Sequence, residues 1–202
     1  MKRSIWIWAL AAMVVAAGTA LTENGYYILD GYGHIHAVGE AEFYGSPSFG
    51  WDIARDMELG TDGSEVYILD GFGAIFGAPE SQGRAYFGWD IAKDIEMIPG
   101  KPESGYLLDG FGGVHPLGCA DQLPNAPYFP DNDIARALKV VSEDVVYLLD
   151  GMSGLWSIGS TNAPTAGIPE AGFDIAKDVE ALGQNAWVLN GLGEIFAVEG
   201  GS

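Results

Sequence analysis

Four aspartates recur at one position of a repeated motif, and of all residues in this chain they are the best placed to do chemistry. The motif reads Asp–Ile–Ala–Arg/Lys after a Trp, Phe or Asn, and its acidic residue is kept in every copy: Asp52, Asp90, Asp133 and Asp174. If these strands line a central channel, the carboxylates form a ring that can hold a cation such as Ca²⁺, or a polar ligand. The interpretation that we favour is structural: each carboxylate binds the backbone or an Arg or Lys of the neighbouring repeat. Apart from Ca²⁺, no cofactor is expected.

A second motif also carries an acidic residue. Five copies of an aromatic–aliphatic–Leu–Asp–Gly run occur, with Asn in place of Asp in the last. The residues at this position are Asp30, Asp70, Asp109, Asp150 and Asn190. An Asn oxygen can accept backbone hydrogen bonds as an Asp oxygen does, but it supplies no charge. We therefore expect a structural turn role here, with the glycine that follows supplying a positive φ.

The remaining candidate ligands are weak. His34 and His36 can share a strand face, but two histidines without a third ligand do not indicate zinc, and no metal site is predicted from them. A basic residue ends each Asp–Ile–Ala motif, and its free exchange between Arg and Lys argues against bidentate binding and for charge balancing. These residues are Arg55, Lys93, Arg136 and Lys177. The acidic residue that follows them is replaced by Ala137 in one copy, which makes it dispensable.

No catalytic residue is predicted. The sequence lacks a nucleophile elbow, a phosphate-binding loop, a His–Glu–x–x–His motif and an EF-hand loop. A glycosidase needs only two suitably spaced carboxylates, so the 28 acidic residues leave a glycan-acting hydrolase open. Those acids repeat with the motifs, however, whereas a catalytic pair should be unique. The sequence thus favours a non-enzymatic protein, in which Trp51 and Trp89 either stack on sugars or, as we expect, belong to the core.

The spacing of the motifs predicts the elements that position these residues. Successive Asp–Gly anchors are 40, 39, 41 and 40 residues apart, in the range of propeller blades. Hairpins are predicted near 26–39, 66–78, 105–118, 146–159 and 186–199, the Asp–Ile–Ala run adds a third strand, and Phe43–Tyr44 or Tyr86–Phe87 a fourth. Such small sheets must stack to bury their faces. We predict an all-β protein, a β-propeller of about five four-stranded blades; an open β-solenoid is the alternative.

The two ends of the repeat series do not match. The Asp–Ile–Ala strand of the first hairpin would begin near residues 11–14, inside a segment that reads as a signal peptide and would be lost on cleavage, so five hairpins share four such strands. Three readings stay open. The ring is incomplete, oligomerisation completes it, or the amino terminus stays uncleaved and its segment from Met13 to Leu21 serves as the missing strand.

The composition and the amino-terminal sequence limit which partners and which cellular compartment can be expected. With 9 Lys and Arg against 28 Asp and Glu, the net charge of −19 excludes nucleic acid as the expected partner. Residues 1–20 have the basic start, apolar run and small residues of a signal peptide, which leaves one domain over 21–202; a retained anchor is the alternative. We expect a secreted, periplasmic or envelope protein without membrane insertion after cleavage. The single cysteine, Cys119, excludes an intrachain disulfide and is expected to be buried.

The repeats resemble those of a known group. The run Asp–Gly–Phe–Gly–Gly–Val–His–Pro–Leu–Gly at 109–118 and Phe–Gly–Trp–Asp–Ile–Ala–Arg at 49–55 are similar to propeller-type repeats of secreted bacterial proteins, which are distantly similar to NHL and WD-repeat propellers. The resemblance covers residues 24–199, and the chain departs from it at Asn132 and Asn190. It implies architecture and no particular activity. We therefore expect a non-catalytic binding or scaffolding protein for a protein or glycan ligand, able to form homo-oligomers, with a glycan-acting hydrolase as the alternative.

Overall fold

A computed structural model describes residues 25–43, 45–60, 63, 65–77, 85–159, 171–182 and 185–198. In these ranges the chain forms strands and turns only, which confirms the all-β class; no helix able to cross a lipid bilayer occurs in them. The predicted signal peptide and the segment from Met13 to Leu21 lie outside the described residues. The strands are β1 (Gly25–Leu29), β2 (Ile35–Gly39), β3 (Ala54–Leu59), β4 (Val66–Asp70), β5 (Ile75–Phe76), β6 (Ala92–Met97), β7 (Gly105–Asp109), β8 (Val114–Leu117), β9 (Ala135–Ser142), β10 (Val145–Asp150), β11 (Leu155–Gly159), β12 (Ala176–Leu182), β13 (Asn185–Asn190) and β14 (Ile195–Val198).

The strands form five small antiparallel sheets, one for each repeat. The first sheet pairs β1 with β2, and the other four have the orders β3-β4-β5, β6-β7-β8, β9-β10-β11 and β12-β13-β14. The predicted fourth strand is wrong in the described residues, because Phe43, Tyr86 and Phe87 lie outside any strand. The N–H of Phe87 donates instead to the Phe72 carbonyl in the preceding turn, at 2.8 Å. Three strands, or two in the first sheet, are what each repeat forms.

One edge strand of each three-stranded sheet carries the Asp–Ile–Ala motif at its start. We call β3, β6, β9 and β12 the inner strands, because they contact one another in that order and line one cavity of about 110 Å³. In β3 the register shifts so that Ala54 pairs with Asp70 but Asp56 pairs with Leu69, which leaves Arg55 as the extra residue of a bulge. Each inner strand has an equivalent shift. Because a bulge turns an additional side chain to one face, Arg55 and Asp56 both line the cavity.

Apolar side chains fill the spaces between neighbouring sheets. Tyr67 and Leu69 of β4, for example, pack on Ile95 and Met97 of β6, and these four side chains are almost completely buried. Three further clusters occupy the other spaces between successive sheets. No described strand of the last sheet contacts a described strand of the first, so the described strands do not form a closed ring.

Candidate functional site

The Asp–Gly turns are held by a side-chain oxygen. Oδ1 of Asp70 accepts the N–H groups of Phe72 and Ala74, at 2.9 and 2.8 Å. Oδ1 of Asn190 accepts those of Leu192 and Glu194 in the same way, at 2.9 and 3.0 Å. The same pair of bonds is made by Asp30, Asp109 and Asp150. Since an amide oxygen forms these bonds as a carboxylate does, the turn itself does not need the charge.

The second oxygen of these aspartates binds a ring nitrogen where the facing residue has one. Nε2 of His115 lies 2.8 Å from Oδ2 of Asp109, and the Trp156 indole N–H donates to Oδ2 of Asp150 at 2.9 Å. His34 and His36 both approach Oδ2 of Asp30, at 3.0 and 3.4 Å. Burial alone would raise the pKa of Asp30, but the hydrogen bonds from His34 and His36 lower it below its ordinary value. Both histidines therefore contact the turn carboxylate.

The glycine that follows the turn aspartate has a different role from the one expected. The prediction of a positive φ is wrong for Gly71; the positive φ, of 87°, is at Gly73, two residues later. A Cβ at Gly71 would lie 1.9 Å from Oδ1 of Asp90, which belongs to the next repeat. The absence of a side chain at Gly71 thus leaves room for that carboxylate.

Three of the four repeated aspartates, Asp90, Asp133 and Asp174, take part in ion pairs that join neighbouring sheets. Nε of Arg55 donates to Oδ1 of Asp90 at 2.9 Å, and its second nitrogen donates to Oδ2. Arg136 binds Asp174 in the same bidentate way, and these bonds lower the pKa of Asp174. Lys93 makes a single bond of 3.0 Å to Asp133. The interpretation that excluded bidentate binding at this position is wrong for both arginines. Arg and Lys exchange here because Lys93 reaches the equivalent carboxylate with its single nitrogen.

Asp52 differs from its three counterparts. It lies 3.4 Å from Arg55 of its own repeat, and its side chain is 71 % exposed. Among the described residues, no group of three or more His, Cys, Asp or Glu side chains has an arrangement that would hold a metal ion. Cation binding by Asp52, Asp90, Asp133 and Asp174 stays a prediction.

A second set of charges, which we call the axial cluster, lies along the cavity between the inner strands. Its carboxylates are Asp56, Glu58, Asp94, Glu96, Asp178 and Glu180, and its ammonium group is Lys139. Lys139 lies 3.0 Å from Glu96 and 3.2 Å from Glu180. This cluster was not predicted from the sequence, because the replacement of one acidic residue by Ala137 made the position after the Arg or Lys look dispensable. The sequence pattern that could have predicted the cluster is a pair of acidic residues two positions apart, such as Asp56 and Glu58, because a strand places residues i and i+2 on the same face.

Burial and mutual repulsion keep protons on the axial cluster. Burial, opposed by Lys139, raises the pKa of Glu58 to about 7, and burial together with the charge of Asp56 raises that of Asp178 to about 6. The pKa values of Asp94 and Glu96 are raised well above their ordinary range, by burial and by the carboxylates of β3. The cluster is therefore partly protonated near neutral pH.

Exposed aromatic side chains surround one end of the sheets. Trp51, Trp89 and Phe173, each followed by the Asp of the repeated motif, are 56 %, 58 % and 63 % exposed, so the expectation of core Trp residues is wrong. They are exposed because the backbone around them follows the preceding turn, as the 2.7 Å bond from Ile53 N–H to the Gly31 carbonyl shows. We call this end the turn face. Its residues are Trp51, Trp89 and Phe173 with the turn residues Tyr32, Phe72, Phe111, Met152 and Leu192.

Cys119 also differs from the expectation. It is exposed at the end of β8, so the prediction of a buried, apolar cysteine is wrong. The residue follows Gly118, whose φ of 59° turns the chain out of the strand. Comparison of the chain with protein-family models and with curated proteins gives no match, and the resemblance to secreted propeller repeats stays a prediction.

Proposed function

We propose that this protein is a secreted or envelope-associated, non-catalytic binding module, built as an incompletely closed β-propeller, that binds its ligand on the turn face. The observation that carries the proposal is the repeated exposure of an aromatic side chain at one position, in Trp51, Trp89 and Phe173. Apolar side chains exposed as a group on a soluble protein mark a surface for interaction. Packing between the sheets does not require these rings to face solvent.

The chemistry of the turn face favours a glycan over a protein as the ligand. Trp89 and Phe173 are each followed by an Asp whose carboxylate is partly exposed, 40 % at Asp90 and 45 % at Asp174, while an Arg of the preceding repeat holds it in place. An aromatic face can cover the apolar face of a sugar ring, and a fixed carboxylate can accept hydrogen bonds from its hydroxyl groups. Because these aromatic–Asp pairs recur from repeat to repeat, several sugar units of one glycan could bind at once.

The axial cluster does not support the hydrolase alternative. Its carboxyl groups with raised pKa resemble those of a general acid, but the cavity has a volume of about 110 Å³. Cavities that take small molecules usually have roughly 300 Å³ or more. The axial cluster is therefore not placed to receive a glycan chain.

A glycan array tests the proposal on the full chain, next to the double variant Trp51→Ala/Trp89→Ala. We expect binding of a defined glycan class and at least tenfold weaker binding by the double variant. Phe43→Ala is the matched control: Phe43 is 58 % exposed and lies beside Glu42, which binds Tyr27 of β1. Equal losses in both variants, or glycan-independent capture of a protein, would contradict glycan binding by the turn face. Steady turnover of any glycoside in a hydrolase panel would contradict the non-catalytic function.

A further inference from the structure

The carboxylate of each Asp–Ile–Ala motif lies against the turn of the preceding repeat. A Cβ added at Gly71 would collide with the carboxylate of Asp90, and one at Gly31 would collide with that of Asp52. The same relation holds between Gly110 and Asp133 and between Gly151 and Asp174. The residue after each of these glycines belongs to the turn face. The four carboxylates are therefore part of that face.

Aromatic rings lie beside two of these carboxylates. The rings of Trp51 and Phe72 contact each other, with their centroids 5.7 Å apart and their planes inclined by 43°. Phe72 follows Gly71, against which the carboxylate of Asp90 lies, and Trp51 directly precedes Asp52. The face of an aromatic ring attracts cations, as a carboxylate does. Rings and carboxylates at this part of the turn face therefore favour the same sign of charge in a ligand.

The basic residues that pair with the turn-face carboxylates lie deeper than the carboxylates do. The side chain of Asp90 is 40 % exposed, and that of its partner Arg55 is 24 % exposed. The corresponding values are 45 % and 21 % for Asp133 and Lys93, and 45 % and 16 % for Asp174 and Arg136. In each of these ion pairs, the carboxylate is the member that a ligand meets first.

This difference in depth decides the charge that a ligand meets, because the formal charges of the two groups cancel. The four carboxylates are balanced by Arg55, Lys93, Arg136 and Lys177, which line the cavity between the inner strands. The axial cluster in the same cavity adds six carboxylates, partly protonated, and Lys139. The whole chain has a net charge of −19. The field of the whole protein and the exposed carboxylates thus both attract cations to the turn face.

We propose that the glycan bound by the turn face carries protonated amino groups, as a polymer of glucosamine does. This inference rests on the glycan binding proposed above and names the class of glycan. An ammonium group brings a full positive charge to a carboxylate in addition to its hydrogen bonds, and the face of an aromatic ring attracts it as well. A hydroxyl group at the same position of the sugar forms a hydrogen bond without that charge. Amino sugars therefore gain from both components of the turn face.

Hexasaccharides of one linkage test the inference on the full chain. The probe is the β-1,4-linked hexamer of glucosamine. The controls are the hexamer of N-acetylglucosamine, whose amide is uncharged, and the hexamer of glucose, which has a hydroxyl group in place of the amine. Isothermal titration at pH 6 and low ionic strength should show about tenfold tighter binding of the amino hexamer than of either control. Added salt should weaken this binding, because it screens exposed charges.

Two variants that each remove one negative charge locate the bound amino groups. Asp52→Asn should weaken binding of the amino hexamer about threefold or more without lowering the melting temperature, because the Asp52 side chain is 71 % exposed. Glu40→Gln is the matched control. Glu40 is exposed at the end of β2 that lies away from the turn face, so its replacement should leave binding unchanged.

The possible failures separate this inference from the proposed function. Equal binding of the three hexamers, or tighter binding of either control, would overturn the amino-sugar inference and leave glycan binding standing. Equal losses in Asp52→Asn and Glu40→Gln, or equally tight binding of polylysine, would overturn it as well, because the net charge of the chain would then be sufficient. If the glycan array identifies another class and the amino hexamer does not bind, only the amino-sugar inference fails. If no glycan binds, the proposed function fails with it.

Discussion

The axial cluster should make this protein more stable at mildly acidic pH than at pH 8. Glu58 titrates near pH 7 in the folded chain but at 4.5 as a free side chain, and Asp178 near 6 against 3.8. A carboxyl whose pKa is raised by folding binds protons more tightly in the folded state. Stability therefore rises as the pH falls through the folded pKa values, and the gain levels off near the unfolded values.

The expected size of the effect follows from these pKa values. Between pH 8 and pH 5, a pKa shift of this size at Glu58 adds on the order of 2–3 kcal/mol to the free energy of unfolding, which corresponds to roughly 5–10 °C in melting temperature for a chain of this length. Asp178, Asp94 and Glu96 act in the same direction. The pKa of Lys139 is raised, so its stabilising charge is present throughout this range. Asp30 and Asp174, whose pKa values are lowered, reduce stability only below about pH 4.

Urea unfolding followed by tryptophan fluorescence at pH 8, 6.5 and 5 measures the slope. Glu58→Gln should stabilise the chain at pH 8 and remove most of its share of the slope, because the amide keeps a hydrogen-bond acceptor without the charge. Glu40→Gln, at an exposed position outside the axial cluster, is the matched control and should change neither quantity. A chain as stable at pH 8 as at pH 5, or equal effects of the two substitutions, would refute the reasoning.

Two further predictions concern the turns. Asp70→Asn should lower the free energy of unfolding by less than ~1 kcal/mol, since Asn190 makes the same two bonds. Gly71→Val should lower it by ~1–3 kcal/mol or more, because its Cβ would collide with Asp90. Equal losses in thermal melts of the two variants would contradict this order. Ser153 has a φ of 73° where the other copies have glycine, so Ser153→Gly should stabilise the chain by ~0.5–1 kcal/mol, and an unchanged urea midpoint would show that the strain is absent.

The local structure was predictable because it is encoded within each repeat. The aromatic–aliphatic–Leu run followed by Asp–Gly specifies a hairpin, and the five observed hairpins occupy the ranges expected from that run. The turn oxygen was predictable as well, because Asn190 showed that charge is unnecessary. The fourth strand was not, since Tyr86 and Phe87 have strand-forming side chains but the backbone of Phe87 is bonded to the preceding turn.

Contacts between repeats were harder to predict, because they join residues about 40 positions apart that no local pattern relates. The bidentate pair of Arg55 with Asp90 spans 35 residues, and free exchange of Arg and Lys along the sequence concealed it. The same holds for Trp51 and Trp89. Their size and apolar character favour burial, and only the path of the loop along the preceding turn leaves them exposed.

The axial cluster explains why one repeat departs from the others. In β9, Ala137 replaces the first axial acid and Lys139 the second, whereas the other three inner strands keep both acids. Four identical inner strands would bring eight carboxylates to a cavity lined by only four Arg and Lys residues, at a high cost in desolvation and repulsion. The replacement removes two of them and places an ammonium group between Glu96 and Glu180. A change that looks like tolerance of alanine within one repeat is thus required by the surface that the four inner strands share.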